Sequence, residues 1–153
     1  SKPLYDFEEA VERVAAAAAV ARSLPFPFIL AARAQNFVGG NPDLGDTVRR
    51  LQAFEKAGAD VLFAPGLPDI EAVRTVCESV SKPVNFMVGV PGRSFPVDQL
   101  TAAGVKRISV ATSLWKAAMT GFLAATKEIL EQGTFGYVET AVSSRELAAY
   151  LQD

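Results

Sequence analysis

The feature that most constrains this chain is a recurrence. Short apolar runs, "FILA" (28–31), "VLFAPG" (61–66), "PVNFMVG" (83–89) and "RISVATS" (107–113), return at intervals of about 23 to 33 residues, the length of a βα unit. A stretch of helical period follows each one. Strands separated by helices pair in parallel, so the expected fold is parallel α/β.

The intervening segments carry helix signals. "DFEEAVERVAAAAAVARSL" (6–24) opens with Asp6 as a cap and Glu9 in capping-box register. Val11, Val14, Ala18 and Ala21 fall on one face, and "LPFPF" (24–28) ends the helix. "DLGDTVRRLQAFEKAGAD" (43–60) places Leu44, Val48, Leu51 and Phe54 on one stripe, with Gly58 where a C-terminal glycine sits. "PDIEAVRTVCESV" (68–80) turns Ile70, Val73, Val76 and Val80 inward, and "PVDQLTAAG" (96–104) is a short helix closed by Gly104. "LWKAAMTGFLAATKEILEQG" (114–133) is a long helix between Ser113 as cap and Gly133 as stop, and "SSRELAAYLQD" (143–153) is a last one. The whole, residues 1–153, reads as a single domain of four βα units with a leading helix and a helical tail.

Two architectures accommodate this order: a small open sheet, or part of a (β/α)8 barrel. A full barrel takes about 250 residues and eight strands. The 153 residues here suit about half of one. Neither a G-x-G-x-x-G nor a G-x-x-x-x-G-K-[ST] loop is present, which weakens a nucleotide-binding sheet.

Composition narrows the chemistry. With no histidine, neither a Ser-His-Asp nor a Cys-His nucleophile system can be built, and the usual Cys/His zinc sites are excluded. Catalysis would have to use carboxylates, Arg or Lys, hydroxyls or an oxygen-liganded metal. A net charge of -2 without a basic stripe gives nucleic-acid binding no support. The apolar run "VAAAAAVA" (14–21) is too short for a membrane span, and acids precede it where a signal peptide would be basic. A lone Cys77 forms no internal disulfide, so the expected location is the cytoplasm.

Four segments in order, "LPFPFILAARAQNF", "LQAFEKAGADVLFAPGL", "SKPVNFMVG" and "RISVATSLWKAA", with the tail "EQGTFGYVE", resemble the isocitrate lyase/phosphoenolpyruvate mutase superfamily. The likeness is nearest to its carboxyvinyl-carboxyphosphonate phosphorylmutase-like, oxaloacetate decarboxylase-like and methylisocitrate lyase-like members. It covers their C-terminal half, beginning at the helix before the fifth strand. The resemblance implies the C-terminal half of a TIM barrel. It also implies a Mg²⁺-dependent enzyme that makes or breaks C–C or P–C bonds beside a 2-oxo or enolate carboxylate. In such proteins the metal ligands and the catalytic loop belong to the other half. No catalytic residue or metal ligand is therefore identified here, and the isolated chain is expected to be inactive.

The same resemblance assigns substrate-binding positions. Arg33, at the end of a strand, would hold a carboxylate or phosphonate, for which a planar, permanently charged guanidinium is suited. A structural ion pair is the alternative. Gln35 stands where relatives usually carry an acid, keeping hydrogen bonding but not charge. Asn85, on the same strand face as Met87, would orient the acid, or else be satisfied by backbone. In "VGVPGRS" (88–94), Gly89 and Gly92 permit tight turns, and Arg93 with Ser94 would contact an anion unless the stretch is only a turn. Thr112 and Ser113 precede a helix, where an anion or ordinary capping would use them. "FAPG" (63–66) lacks the glutamate of several relatives, which argues against a strict methylisocitrate lyase. Cys77 reads as packing, and Trp115, Phe122 and Tyr137 as core or subunit-contact residues.

The expected partners are a small 2-oxo or phosphono carboxylic acid and either further copies of the chain or a complementing N-terminal half, with no nucleic acid and no membrane. The competing class is a non-catalytic half-barrel, an assembly module whose open sheet edge and inner face another chain must cover.

Overall fold

The computed structural model describes residues 4–150, which divide into two compact units meeting between Ala111 and Thr112. The first unit runs α1 (Phe7–Ser23), β1 (Ala31–Arg33), α2 (Leu44–Lys56), β2 (Val61–Phe63), α3 (Ile70–Glu78), β3 (Val84–Met87), α4 (Val97–Ala102) and β4 (Arg107–Ser109). The four strands form one sheet in the order β1-β2-β3-β4, every pair parallel. This is the expected βα repeat, and four consecutive parallel strands make half the circuit of an eight-stranded barrel.

Alternation along the strands sorts the two faces of the sheet. Ala32, Leu62, Val84 and Phe86 are buried and pack with Leu51, Phe54, Val73, Val76 and Leu100 of the helices. The expected inward stripes hold: Leu44, Val48, Ile70 and Val80 lie partly buried against that core, as do Val11 and Val14 of α1. On the other face the register aligns Arg33, Phe63, Asn85 and Arg107 in one row. Among the described residues the buried side chains of the helices cluster on the first face, and on the second Arg33 and Arg107 are exposed.

Each strand is shorter than the apolar run that predicts it. The expectation that Phe28 to Ala31 form a buried strand is corrected most plainly: Phe28 and Ile29 are 49% and 66% exposed, and pairing begins only at Ala31. Pro25 and Pro27 supply no N–H groups, and among the described residues β1 has a neighbour on its β2 side alone. The ladder starts where the Leu30 carbonyl accepts from the N–H groups of Asp60 and Val61. The Leu30 N–H is met by the Asp60 carboxylate at 2.8 Å, and Arg22 holds that carboxylate from the end of α1 at 2.7 Å. The capping box expected at Asp6 and Glu9 is not formed through the Asp6 side chain. Asp6 occupies the N-cap position, where its carbonyl accepts from Ala10.

Two glycines act as the helix ends require. Gly58 follows α2 at φ 104°, and a Cβ there would stand 2.9 Å from the Cβ of Ala18 on α1. Gly104 closes α4 at φ 99° beside Cys77, which is half-buried in packing on α3; burial pushes its thiol pKa up. Ala111, just after β4, takes the left-handed conformation at φ 46°.

The second unit consists of α5 (Ser113–Gln132), a 3₁₀ turn (Gly136–Thr140) and α6 (Ser144–Ala149). Its N-cap is Thr112, one residue before the expected Ser113, and Gly133 ends α5 in the left-handed conformation. The Glu128 carboxylate gathers the Thr134 hydroxyl and the N–H groups of Gly136 and Tyr137, folding the turn back on the helix. Ser143 and Glu146 form a complete capping box on α6; residues 151–153, expected to continue that helix, lie outside the described residues. None of the α5 residues is buried. Trp115 and Phe122 are 63% and 62% exposed, so of the two expected roles, core or subunit contact, the described residues do not give them the first. Tyr137 is half-buried in the 3₁₀ turn. Among the described residues no helix is long and apolar enough to cross a membrane.

Candidate functional site

Arg33 is the last residue of β1, and the chain leaves it directly into the 34–43 loop that leads to α2. With the Gln35 amide oriented so that its oxygen faces the guanidinium, that oxygen accepts from Arg33 Nε at 3.1 Å and also from Nη2. Among the described residues no carboxylate forms an ion pair with Arg33. A cavity of about 580 Å³ opens beside this strand end, with Tyr5, Glu9, Arg33, Gln35, Val38 and Arg50 among its lining.

The loop is held from beneath. Asn36 is fully buried, donates from Nδ2 to Asp46 Oδ2 at 2.9 Å, and accepts from the Asn41 N–H through its carbonyl; its Oδ1 has no partner. Asp46 also receives Arg50 Nε at 2.7 Å. Burial pushes the Asp46 pKa upward, but the hydrogen bonds from Arg50 and Asn36 outweigh it and hold the carboxyl below its ordinary value. Arg50 is thereby neutralised on α2, whereas Arg33 beside it has only an amide.

Across the row, Asn85 is 2% exposed. Its Oδ1 accepts from Arg107 Nη1 at 3.0 Å and its Nδ2 donates to Ser109 Oγ at 3.1 Å. The amide is satisfied by side chains of β4 rather than by neighbouring backbone, with one N–H of Nδ2 left over. Neither Arg107 nor Ser109 was singled out from the sequence. Strand alternation puts Arg107 and Ser109 on one face, which is readable in the sequence, but the register that brings them to Asn85 is not.

Gly89 and Gly92 adopt φ of 114° and 72°, the tight turns expected of them. Ser94 Oγ accepts from the Gly89 N–H and donates to the Val90 carbonyl, closing that loop on itself. Arg93 Nη1 donates to the Gly66 carbonyl at 2.8 Å, tying the loop after β3 to the loop after β2. Thr112 stands at the N-cap position of α5 in the second unit, its side chain making no capping bond.

Among the described residues no three of His, Cys, Asp or Glu cluster as metal ligands would, and the open face carries arginines rather than carboxylates. This donor set does not fit Mg²⁺, which takes hard oxygen ligands.

Four parallel strands in sequence order, each followed by a helix, define a class: α/β proteins of the barrel type, whose sites lie at the C-terminal ends of the strands. A family model described as phosphoenolpyruvate phosphomutase matches residues 1–130, and the chain belongs to that family, within the isocitrate lyase/phosphoenolpyruvate mutase superfamily. It is 29% identical over 144 residues to an oxaloacetate decarboxylase of Paraburkholderia xenovorans, covering 94% of this chain and 46% of that protein. To a 2-methylisocitrate lyase of Aeropyrum pernix it is 27% identical over 135 residues, covering 87% and 42%. Among crystal structures, a Burkholderia cenocepacia protein described as a lyase/mutase superimposes with a TM-score of 0.91 at 43% identity, over 98% of this chain and 54% of that one. A 2,3-dimethylmalate lyase shares the fold at a TM-score of 0.80 and 21% identity. The chain spans about half the length of the relatives it matches.

Proposed function

We propose that the chain supplies the acid-binding half of a Mg²⁺-dependent lyase or phosphonomutase-type enzyme, acting on C–C or P–C bonds of 2-oxo or enolate carboxylic acids in the cytoplasm. The observation that carries this reading is Arg33, exposed at the end of β1 and partnered by a neutral amide. A small acid would be held there through paired N–H···O bonds, the strongest contacts that a guanidinium makes with an oxyacid. Asn85 would offer its remaining N–H, and Arg93, in the loop after β3, would be a further anion contact. The metal and the proton-transferring groups would have to come from residues that this chain does not contain, so no chemical step is assigned to it.

A second reading is a non-catalytic half-barrel. The sheet pairs on neither outer edge among the described residues, and the row from Arg33 to Arg107 lies on the uncovered face. Exposed Leu114, Trp115, Phe122 and Leu123 on α5 support assembly with further copies.

Native mass spectrometry of the purified protein separates the two readings. A complementing polypeptide, or turnover of 2-oxo acids with Mg²⁺ only in its presence, is the enzyme outcome. The 153-residue chain alone or as a homo-oligomer, without turnover, is the module outcome. Calorimetry with oxalate tests the site itself: Arg33→Ala abolishes binding if Arg33 holds the acid, and unchanged affinity refutes that role.

A further inference from the structure

Arg33 has five N–H donors arranged on two usable edges: a side edge, Nε with Nη2, and an end edge, Nη1 with Nη2. With its amide assigned so that oxygen faces the guanidinium, Gln35 accepts on the side edge from both of its nitrogens. A carboxylate in that place would make the same two bonds and also cancel the charge. An amide makes the bonds and leaves the charge whole. Nothing else among the described residues compensates it: Asp46 is engaged by Arg50 and Arg49, and Glu9 lines the same cavity without an ion pair to Arg33.

We propose that Gln35 is the specificity-determining, positioning residue of this site: it pins Arg33 by its side edge without neutralising it, so that an oxyacid group is received on the end edge at full charge. The proposal rests on the reading of Arg33 as the acid-binding residue. It makes the site a receptor for a small oxyacid held coplanar with the guanidinium, and makes the charge at position 35 the control on its affinity. Gln35 itself need not touch the ligand.

Two measurements on the 153-residue chain test it. The first needs no ligand. In ¹⁵N NMR spectra the Arg33 Nε–H signal is protected from exchange in the unsubstituted protein, remains so in Gln35→Glu, and loses protection in Gln35→Ala; equal protection in all three overturns the contact. The second is calorimetry with two probes, oxalate and inorganic phosphate, which distinguish a carboxylate from a phosphate-like ligand. Gln35→Glu weakens whichever probe binds by about tenfold or more, because one net charge is removed at contact distance. Gln35→Ala weakens it less. A Gln35→Glu protein that binds like the unsubstituted one overturns the proposal while leaving Arg33 as the acid's partner. Affinity that survives Arg33→Ala, or no binding of either probe by the unsubstituted protein, brings down the underlying reading and this proposal with it.

Discussion

Arg107 donates to Asn85 across the β3–β4 boundary, Nη1 to Oδ1, at 3.0 Å. An exposed cation on the edge strand thus fixes the orientation of a buried amide on its neighbour. The contact decides which way the Asn85 amide faces, because the oxygen is committed to Arg107 and the nitrogen to Ser109.

Asn85→Ala therefore leaves Ser109 without its amide donor and Arg107 without its acceptor, and removes a buried side chain. The expected loss is about 1–3 kcal/mol in urea unfolding, the range for deleting a buried, hydrogen-bonded side chain. A change within 0.5 kcal/mol or so would mean that water replaces both bonds.

Asp60 gives the fold a dependence on acid. The Leu30 N–H and then Arg22 hold its pKa below the ordinary value of 3.8. A carboxyl with a depressed folded pKa contributes stability that is present above 3.8 and lost as pH falls below it towards the folded value. The urea midpoint of the unsubstituted protein should fall as the pH drops from about 4 downwards. Asp60→Asn should start lower at neutral pH and fall less over that window; parallel slopes for the two proteins would refute the assignment.

Gly58 and Ala111 should respond in opposite directions. Gly58→Ala puts a Cβ 2.9 Å from Ala18 at φ 104°, so both strain and a clash with α1 oppose it; about 1–3 kcal/mol is expected to be lost. A thermal scan that shows no loss would require α1 to move away from α2.

Ala111→Gly relieves a left-handed alanine at φ 46°. The strain removed exceeds the chain entropy that glycine adds, so a gain of about 0.5–1 kcal/mol is expected. Destabilisation in denaturant titration would show that the Ala111 methyl makes compensating contacts.

Leu62 is fully buried on β2, an interior strand, in the core cluster. Leu62→Ala should cost about 2–5 kcal/mol by cavity formation. Leu130→Ala, at a residue 79% exposed on α5, should leave the unfolding of a monomer within about 0.5 kcal/mol of the unsubstituted protein. A larger effect of Leu130→Ala that depends on protein concentration would place α5 in an interface between copies.

Much of the fold was legible because its signals are local. The stripes on α2 and α3, the stops at Gly58, Gly104 and Gly133, and the parallel order all follow from spacings of a few residues, or from the need for a helix between parallel strands. Arg33 stood out for the same reason, as a charge at the end of an apolar run. The ends of the strands were less legible. "FILA" reads as buried, yet Phe28 and Ile29 are exposed, because hydropathy does not record whether a neighbouring strand is present to pair with.

The sequence by itself determined the alternation of strands and helices, which faces of the helices turn inward, and a strand-end arginine followed two residues later by a glutamine. Only the tertiary structure decided that Gln35 folds back onto the side edge of Arg33, and that Asn85 is satisfied by residues 22 and 24 positions further along. The physical reason is range. Periodicity and capping act within a turn or two of chain, whereas a polar group on a strand finds its partner through the register of the next strand. That register is set when the helices pack, not by the residues beside it in sequence.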